Sequence, residues 1–420
     1  MKPAVKTVPT EKGEGRLPVV ETRETGCCIV GGGPGGAVLA LLLARRNVPV
    51  VLLEAHDDFD REFRGDTVHP SVMEIMDHLG LADGLLRLRH SKIRSFTFTT
   101  PGGPVRLADL ARLDTKFPFI AMIPQAKFLE FITEEAKHYP HFQLTMGARV
   151  EELIEEGGVV RGVRYRERDG WHEVRAPLTV GADGRGSRLR HLAGVESVKT
   201  SPPMDVLWFR LPRFETDAEG AMGRFSRGCL VIMLDRADEW QMGYVIFKGS
   251  YQELRAKGLE AFRKALAEAV PELGDRVELL TDWKQVSILS VESSRVRRWH
   301  IPGLLLIGDA AHVMSPIGGV GINYAIQDAT VAHNVLARPL LAGKVEEKDL
   351  AEVQRRREWP TRVIQRFQTI IQQRVVAAAL SAGRTFRLPL ALRILLKIPG
   401  LRNIPARLIA FGLRRVRVEE

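Results

Sequence analysis

Three patterns of apolar positions divide this chain, and each predicts a different element. CCIV at 27–30, VVLL at 50–53 within VPVVLLEAH, LTV at 178–180 and LLLI at 304–307 are short and, but for Thr179, apolar throughout, and each closes on a glycine or an acid. Strands buried on both faces of a parallel sheet read this way. SFTFTT (95–100), MDVLWFRLP (204–212), CLVIMLD (229–235) and WQMGYVIFKG (240–249) instead alternate or carry β-branched and aromatic residues, as strands of a second sheet would. AVLALLLARR (37–46) follows a glycine cluster and predicts a helix.

The junctions between these elements carry the chemistry. Gly31, Gly33 and Gly36 fit G-x-G-x-x-G between strand 27–30 and helix 37–46, with Pro34 and Gly35 inside the pattern. Gly31 allows the tight turn, Gly33 lets backbone approach a pyrophosphate, and Gly36 lets helix and strand pack closely. The helix N-terminus adds free N–H groups and a positive dipole end. Glu54 closes the next strand, where a carboxylate can bind a ribose diol. Far along the chain, Asp309 follows strand 304–307, and Gly318, Gly319 and Gly321 open a further helix through Ile322, Asn323 and Tyr324. An acid at a strand end can hold polyol hydroxyls, and a glycine-opened helix can aim N–H groups at an anionic ring. Residues 178–194, LTVGADGRGSRLRHLAG, repeat the strand, Asp-Gly turn and helix at Asp183.

Composition narrows the setting. With 45% apolar and 27% charged residues over 420 positions, the chain is ordinary globular material for two or three domains. Cys27, Cys28 and Cys229 make no disulfide framework and point to a reducing cytoplasm. Residues 1–24 are polar and aperiodic, lack a signal peptide's apolar region, and are expected to be a disordered tail. No window is apolar enough to span a membrane. The net charge of +10 sits almost wholly in residues 384–417, which hold nine Lys or Arg and no Asp or Glu. That tail interleaves its cations with Leu and Ile, not stacking aromatics, which argues against nucleic acid. It reads as a cap over the core or, alternatively, as a peripheral membrane-surface segment. No metal-ligand spacing, G-x-S-x-G or P-loop occurs.

Together the glycine fingerprint, Asp183-Gly184 and the GDAAH stretch at Asp309 resemble the class A FAD-dependent monooxygenases, the p-hydroxybenzoate hydroxylase-like family, over about residues 25–375. The resemblance implies an α/β fold: a Rossmann-like (GR2-type) FAD-binding domain, an inserted β-sheet substrate domain and a C-terminal helical region. The expected limits are 25–95, 118–198 and 285–375 for the FAD domain, 96–117 and 199–284 for the substrate domain, and 376–420 for the basic apolar C-terminal region. It implies non-covalent FAD on Gly31, Gly33, Pro34, Gly35, Gly36, Glu54, Arg64, Gln125, Val150, Asp183, Asp309, Pro316, Gly319, Gly321, Ile322 and Asn323. Phe209, Trp240, Tyr244, Phe247 and Pro316 are the expected substrate-pocket residues, with core packing the alternative for the aromatics. No catalytic side chain is singled out.

The same resemblance implies NADH or NADPH as transient reductant, no second nucleotide-binding fingerprint being present. It implies O2 as co-substrate, and hydroxylation or epoxidation of an aromatic or polyketide- or isoprenoid-like small molecule through a flavin C4a-hydroperoxide. Two other readings are a halogenase or geranylgeranyl reductase-like saturase on the same fold, and a non-catalytic flavin-binding protein at a membrane surface.

Overall fold

The computed structural model describes residues 19–60, 65–100, 102–167, 169–226, 228–381, 398 and 401–419. These apolar runs lie side by side in a six-stranded sheet whose order is His300–Ile301, Leu304–Leu306, Leu178–Gly181, Cys27–Val30, Val50–Leu53, Phe142–Thr145. Every pair is parallel except the His300–Ile301 edge hairpin. The four central strands are buried along their whole length, which is why they carry no alternation. The Pro34–Arg45 helix is apolar on every side, being wedged against helices Gly321–Leu341 and Gln125–Lys137.

The alternating runs form a seven-stranded sheet, ordered Ser287–Ser290, Met204–Pro212, Glu239–Phe247, Cys229–Asp235, Ala221–Ser226, Ser95–Thr100, Gly103–Asp109. It is antiparallel except where Ala221–Ser226 meets Ser95–Thr100. Strand Ser287–Ser290 extends this sheet past the expected limit at residue 284. Helix Leu259–Ala269 covers one face, with Phe262 and Leu266 buried against Phe209 and Tyr244.

At the N-terminal end one expectation changes. Residues 19–24, assigned by composition to a disordered tail, form strand Val19–Glu24, which pairs in parallel with Trp171–Arg175 at the edge of a four-stranded sheet. An exposed edge strand needs little apolar surface, because the ladder's backbone hydrogen bonds specify it, so its polarity is misleading. Residues 1–18 lie outside the described residues. In the C-terminal region, helix Ile404–Phe411 buries Pro405, Ala406, Ala410 and Phe411 against Ile93, Leu110 and Ile120. The cap reading therefore describes this helix, whereas 384–397 lie outside the described residues.

Candidate functional site

The three glycine- and acid-bearing junctions meet at the carboxyl edge of the six-stranded sheet. Gly31 adopts φ 105°, and a Cβ there would lie 2.5 Å from the Ala182 carbonyl. A Cβ on Gly36 would stand 2.0 Å from the Gly31 carbonyl, so the close helix–turn contact requires glycine. A Cβ on Gly35 would come within 3.2 Å of the Ala325 carbonyl, which brings the first turn of the Pro34–Arg45 helix against the Gly321–Leu341 helix. Open space, by contrast, surrounds the Cβ positions of Gly33 and Gly321, one at each helix start. First-turn amides have no intrahelical partner. Two helix N-termini without first-turn acids, each with room for a close approach to its backbone, therefore form a cradle suited to a dianionic pyrophosphate and an anionic ring. FAD fits this donor set.

Around the cradle, the Glu54 carboxylate accepts the Gly32 N–H at 2.8 Å and the His56 N–H at 3.1 Å. The chain after Gly147 returns beside it, the Ala148 N–H donating to the Glu54 carbonyl, and so brings buried Val150 into this neighbourhood. Gln125 opens its helix and donates its N–H to Asp66 Oδ1 at 3.0 Å. Asp309, partly exposed, lies 3.5 Å from Arg185 Nε. Asp183 is turned inward: it accepts the Ser187 hydroxyl at 2.6 Å and the Leu189 N–H at 3.0 Å, and burial raises its carboxyl above the ordinary range. Its visible work is to cap the Arg188–Leu192 helix. Arg64 lies outside the described residues.

The turn at 315–319 is held from several sides. Gly318 and Gly319 have φ 79° and 62°, conformations that favour glycine. Thr67 Oγ1 donates to the Gly319 carbonyl at 2.9 Å. Buried Asn323 donates to the Thr67 and Gly319 carbonyls and accepts the His69 N–H at 2.9 Å, so its side chain is structural. Its first-turn backbone is the part placed toward the open space.

Sequence reasoning missed the residues behind this turn. Gln365, Gln368 and Gln372 share one buried face of helix Glu347–Ile371 and the turn that follows. Gln365 donates to the Ser294 and Val313 carbonyls. Gln368 donates to the Ser315 and Ile317 carbonyls while accepting the Ser315 N–H, and Gln372 donates to Ser315 Oγ at 2.6 Å. The spacing 365, 368, 372 follows a helical face and was available as a signal. Also missed was Asp328, fully buried, which accepts Gly308 N–H, His312 Nε2 and Arg357 Nε. Burial raises its carboxyl, and the His312 and Arg357 charges outweigh that and hold it below the ordinary range.

The aromatic pocket assignment needs correction. Side chains alternate across a strand, and Phe209, Trp240 and Tyr244 fall on the face covered by helix Leu259–Ala269, where they are core. Phe247 lies at the outer end of its strand, 44% exposed. The opposite face carries Phe98, Trp208, Phe225 and Ile232, which share one apolar cluster with Ile317, the residue after Pro316, and with Val376, Ala379 and Leu380 from the chain that follows helix Glu347–Ile371. Phe98 and Phe225 have ring centroids 5.4 Å apart. The Phe98 and Trp208 rings crowd Gly223 and Gly243, where a Cβ would meet them at 2.2 and 2.9 Å. Just past strand Cys229–Asp235, Arg236 pairs with buried Asp66 at 2.9 Å, tying the seven-stranded sheet to the chain that precedes Thr67.

Comparison with known proteins agrees with this geometry. A family model described as a FAD binding domain matches residues 24–366. The 6-methylpretetramide 4-monooxygenase of Streptomyces rimosus is 35% identical over 405 residues, covering 96% of each chain. The 12-dehydrotetracycline 5-monooxygenase/anhydrotetracycline 6-monooxygenase of Streptomyces rimosus subsp. rimosus is 29% identical over 72% of this chain; the match spans 60% of that longer protein. The solved structure of OxyS anhydrotetracycline hydroxylase from Streptomyces rimosus superposes with a TM-score of 0.73 at 24% identity, covering 94% of this chain and 78% of that one, and so shares the fold.

Proposed function

Because the chain belongs to the FAD-binding-domain family of class A flavin-dependent monooxygenases, we propose that it uses NAD(P)H and O2 to hydroxylate a polycyclic phenolic small molecule of polyketide type. The substrate would be held between the Phe98–Trp208–Ile232 face and the Pro316 turn. The observation that carries this reading is the end-to-end similarity, at 35% identity, to a monooxygenase named for 6-methylpretetramide. An apolar sheet face beside the turn suits a large flat aromatic ligand.

FAD, when bound, supplies the redox chemistry, taking hydride from NAD(P)H and activating dioxygen. The protein's part is position and electrostatics. Amides at the start of the Pro34–Arg45 helix would hold the pyrophosphate, with Glu54 on the adenosine ribose and Asp309 on the ribityl chain. Amides of Gly321, Ile322 and Asn323 would face the flavin's pyrimidine edge, where the helix dipole favours the negative charge that reduction brings. Phe98, Trp208, Phe225 and Ile232 would exclude water from the reacting ring, which limits wasteful loss of reducing power as hydrogen peroxide. The Gln365–Gln368–Gln372 face would keep the Pro316 backbone in place without touching substrate.

The test is a panel of polycyclic phenols and isoprenoid quinols offered to the FAD-loaded protein under anaerobic and aerobic conditions. A true substrate should accelerate flavin reduction by NAD(P)H and yield a product one oxygen atom heavier by mass spectrometry. A reductase that makes only hydrogen peroxide with every polycyclic phenol tried would overturn the reading.

A further inference from the structure

A cleft of about 500 Å³ opens between helix Glu347–Ile371 and the small sheet of Ser197–Thr200, Ser293–Val296 and His312–Val313. It lies outside the residues assigned to FAD or to substrate. Arg295, Arg362 and Arg366 line it, together with Trp359, Thr200 and Gln365, and no Asp or Glu does so among the described residues. Arg362 has one acidic neighbour, Glu358, at 3.7 Å, while Arg295 and Arg366 have no carboxylate within ion-pair distance among the described residues. Trp359 is 55% exposed, unusual for so large an apolar side chain, and the Arg414 guanidinium lies 5.6 Å from its ring centroid. Concentrated like charge raises the free energy of the folded chain unless a counter-charge is bound. Planar guanidinium groups match phosphate in two-point geometry, and an exposed indole face suits a stacked base.

Gln365 connects this cleft to the turn described above, for it lines the cleft and donates to the Val313 carbonyl at 3.0 Å. Pro316 is three residues further on, at most about 11 Å of extended chain. The chain carries no second G-x-G-x-x-G helix start, and the reductant proposed above is a dinucleotide.

The geometry points to this cleft as the docking site for the adenosine-phosphate end of the nicotinamide dinucleotide, with phosphates on Arg295, Arg362 and Arg366 and the base on Trp359. The inference rests on the reading that NAD(P)H is the reductant. A site built from side chains on an open groove, without a helix N-terminus, holds its ligand weakly and releases it readily, as a transient reductant requires.

The experiment uses the FAD-loaded full chain, titrated calorimetrically with NADP⁺ and NAD⁺, with inorganic pyrophosphate as competitor. At least one dinucleotide should bind, be displaced by pyrophosphate and weaken as salt rises. Arg362→Gln with Arg366→Gln should raise its Kd at least tenfold, and Trp359→Leu at least threefold, with FAD retention unchanged. In turnover the same variants should raise KM for NAD(P)H while kcat at saturation holds. These side chains are largely exposed, so the variants should fold. Unchanged Kd in the variants, no displacement by pyrophosphate, or a dimer that buries Trp359 would each overturn the inference. The two readings fail separately. A chain that oxygenates a phenol with variant Kd unchanged keeps its function and loses this site. One that binds dinucleotide through the arginines yet oxygenates nothing keeps the site and loses the function.

Discussion

Burial depresses the His69 ring to about 4 from an ordinary 6.5, although its Nδ1–H donates to the Ile409 carbonyl at 2.7 Å. The folded value lies below the unfolded one, so the unfolded chain binds more protons between these pH values. The stability contributed is complete above pH 6.5 and is lost as pH falls toward 4, amounting to about 3 kcal/mol. In His69→Asn the dependence of unfolding free energy on pH should flatten over that window, as measured by urea titrations at pH 4.5 and 7. An unchanged slope would assign the acid sensitivity elsewhere. Asp309 makes a different residue-level prediction. It is partly exposed, and among the described residues its ion-pair partner is Arg185 at 3.5 Å, so Asp309→Ala should leave the melting temperature of the apoprotein nearly unchanged. Losing a charge-assisted hydrogen bond to the ribityl chain should weaken FAD binding by about 1.5–3 kcal/mol, roughly tenfold to a hundredfold, as read by fluorescence titration. Wild-type affinity in the variant would remove Asp309 from the cofactor site.

Among elements, the seven-stranded sheet separates stability from selectivity by strand parity. Phe209 faces the Leu259–Ala269 helix and meets Phe262 edge-on at 5.7 Å, so Phe209→Ala should cost about 3–5 kcal/mol. Ile232 faces the Pro316 side and is only partly buried. Ile232→Val should cost about 1 kcal/mol or less but change KM for the aromatic substrate. Equal effects on stability with no change in KM would place the pocket elsewhere. This parity was only half legible. The alternation in MDVLWFRLP predicts that Phe209 and Trp208 face opposite ways, but no local signal says which way the helix lies. That depends on residues 259–269 folding back across the sheet, a contact distant in sequence.

For the whole molecule, the C-terminal segment acts as a clamp across distant elements. Phe411 is buried with Ile93 and Leu110, Arg415 reaches Glu74 at 3.3 Å, and Asn334 donates to the Arg417 carbonyl. The apolar face of helix Ile404–Phe411 is thereby used inside the protein. Phe411→Ala should cost about 3 kcal/mol, and deleting 404–420 should lower the melting temperature by several degrees. Sedimentation with anionic and neutral vesicles should show no selective binding. Salt-sensitive binding to anionic vesicles that disappears with the deletion, at unchanged melting temperature, would replace the clamp by a membrane contact. Among the described residues no helix is long and apolar enough to cross a membrane.

The buried strands and the glycine turn were legible because their constraints are local. Runs at 27–30, 50–53, 178–180 and 304–307, apolar but for Thr179, suit a sheet covered on both faces, and Gly31 and Gly36 stand where any Cβ would strike backbone. Residues 19–24, Gln368, Asp328 and the arginine cleft were decided by tertiary contact. Polar residues carry no periodic signature of burial, since their worth depends on partners brought from elsewhere. Gln368 gains its meaning from carbonyls more than fifty positions earlier, and Arg295 and Arg366 become one site only when a strand and a helix pack together. The sequence by itself determined where a dinucleotide could rest, because backbone sterics act between neighbours. Only the folded chain decided which side chains surround that ligand, because burial and charge are properties of the assembled space.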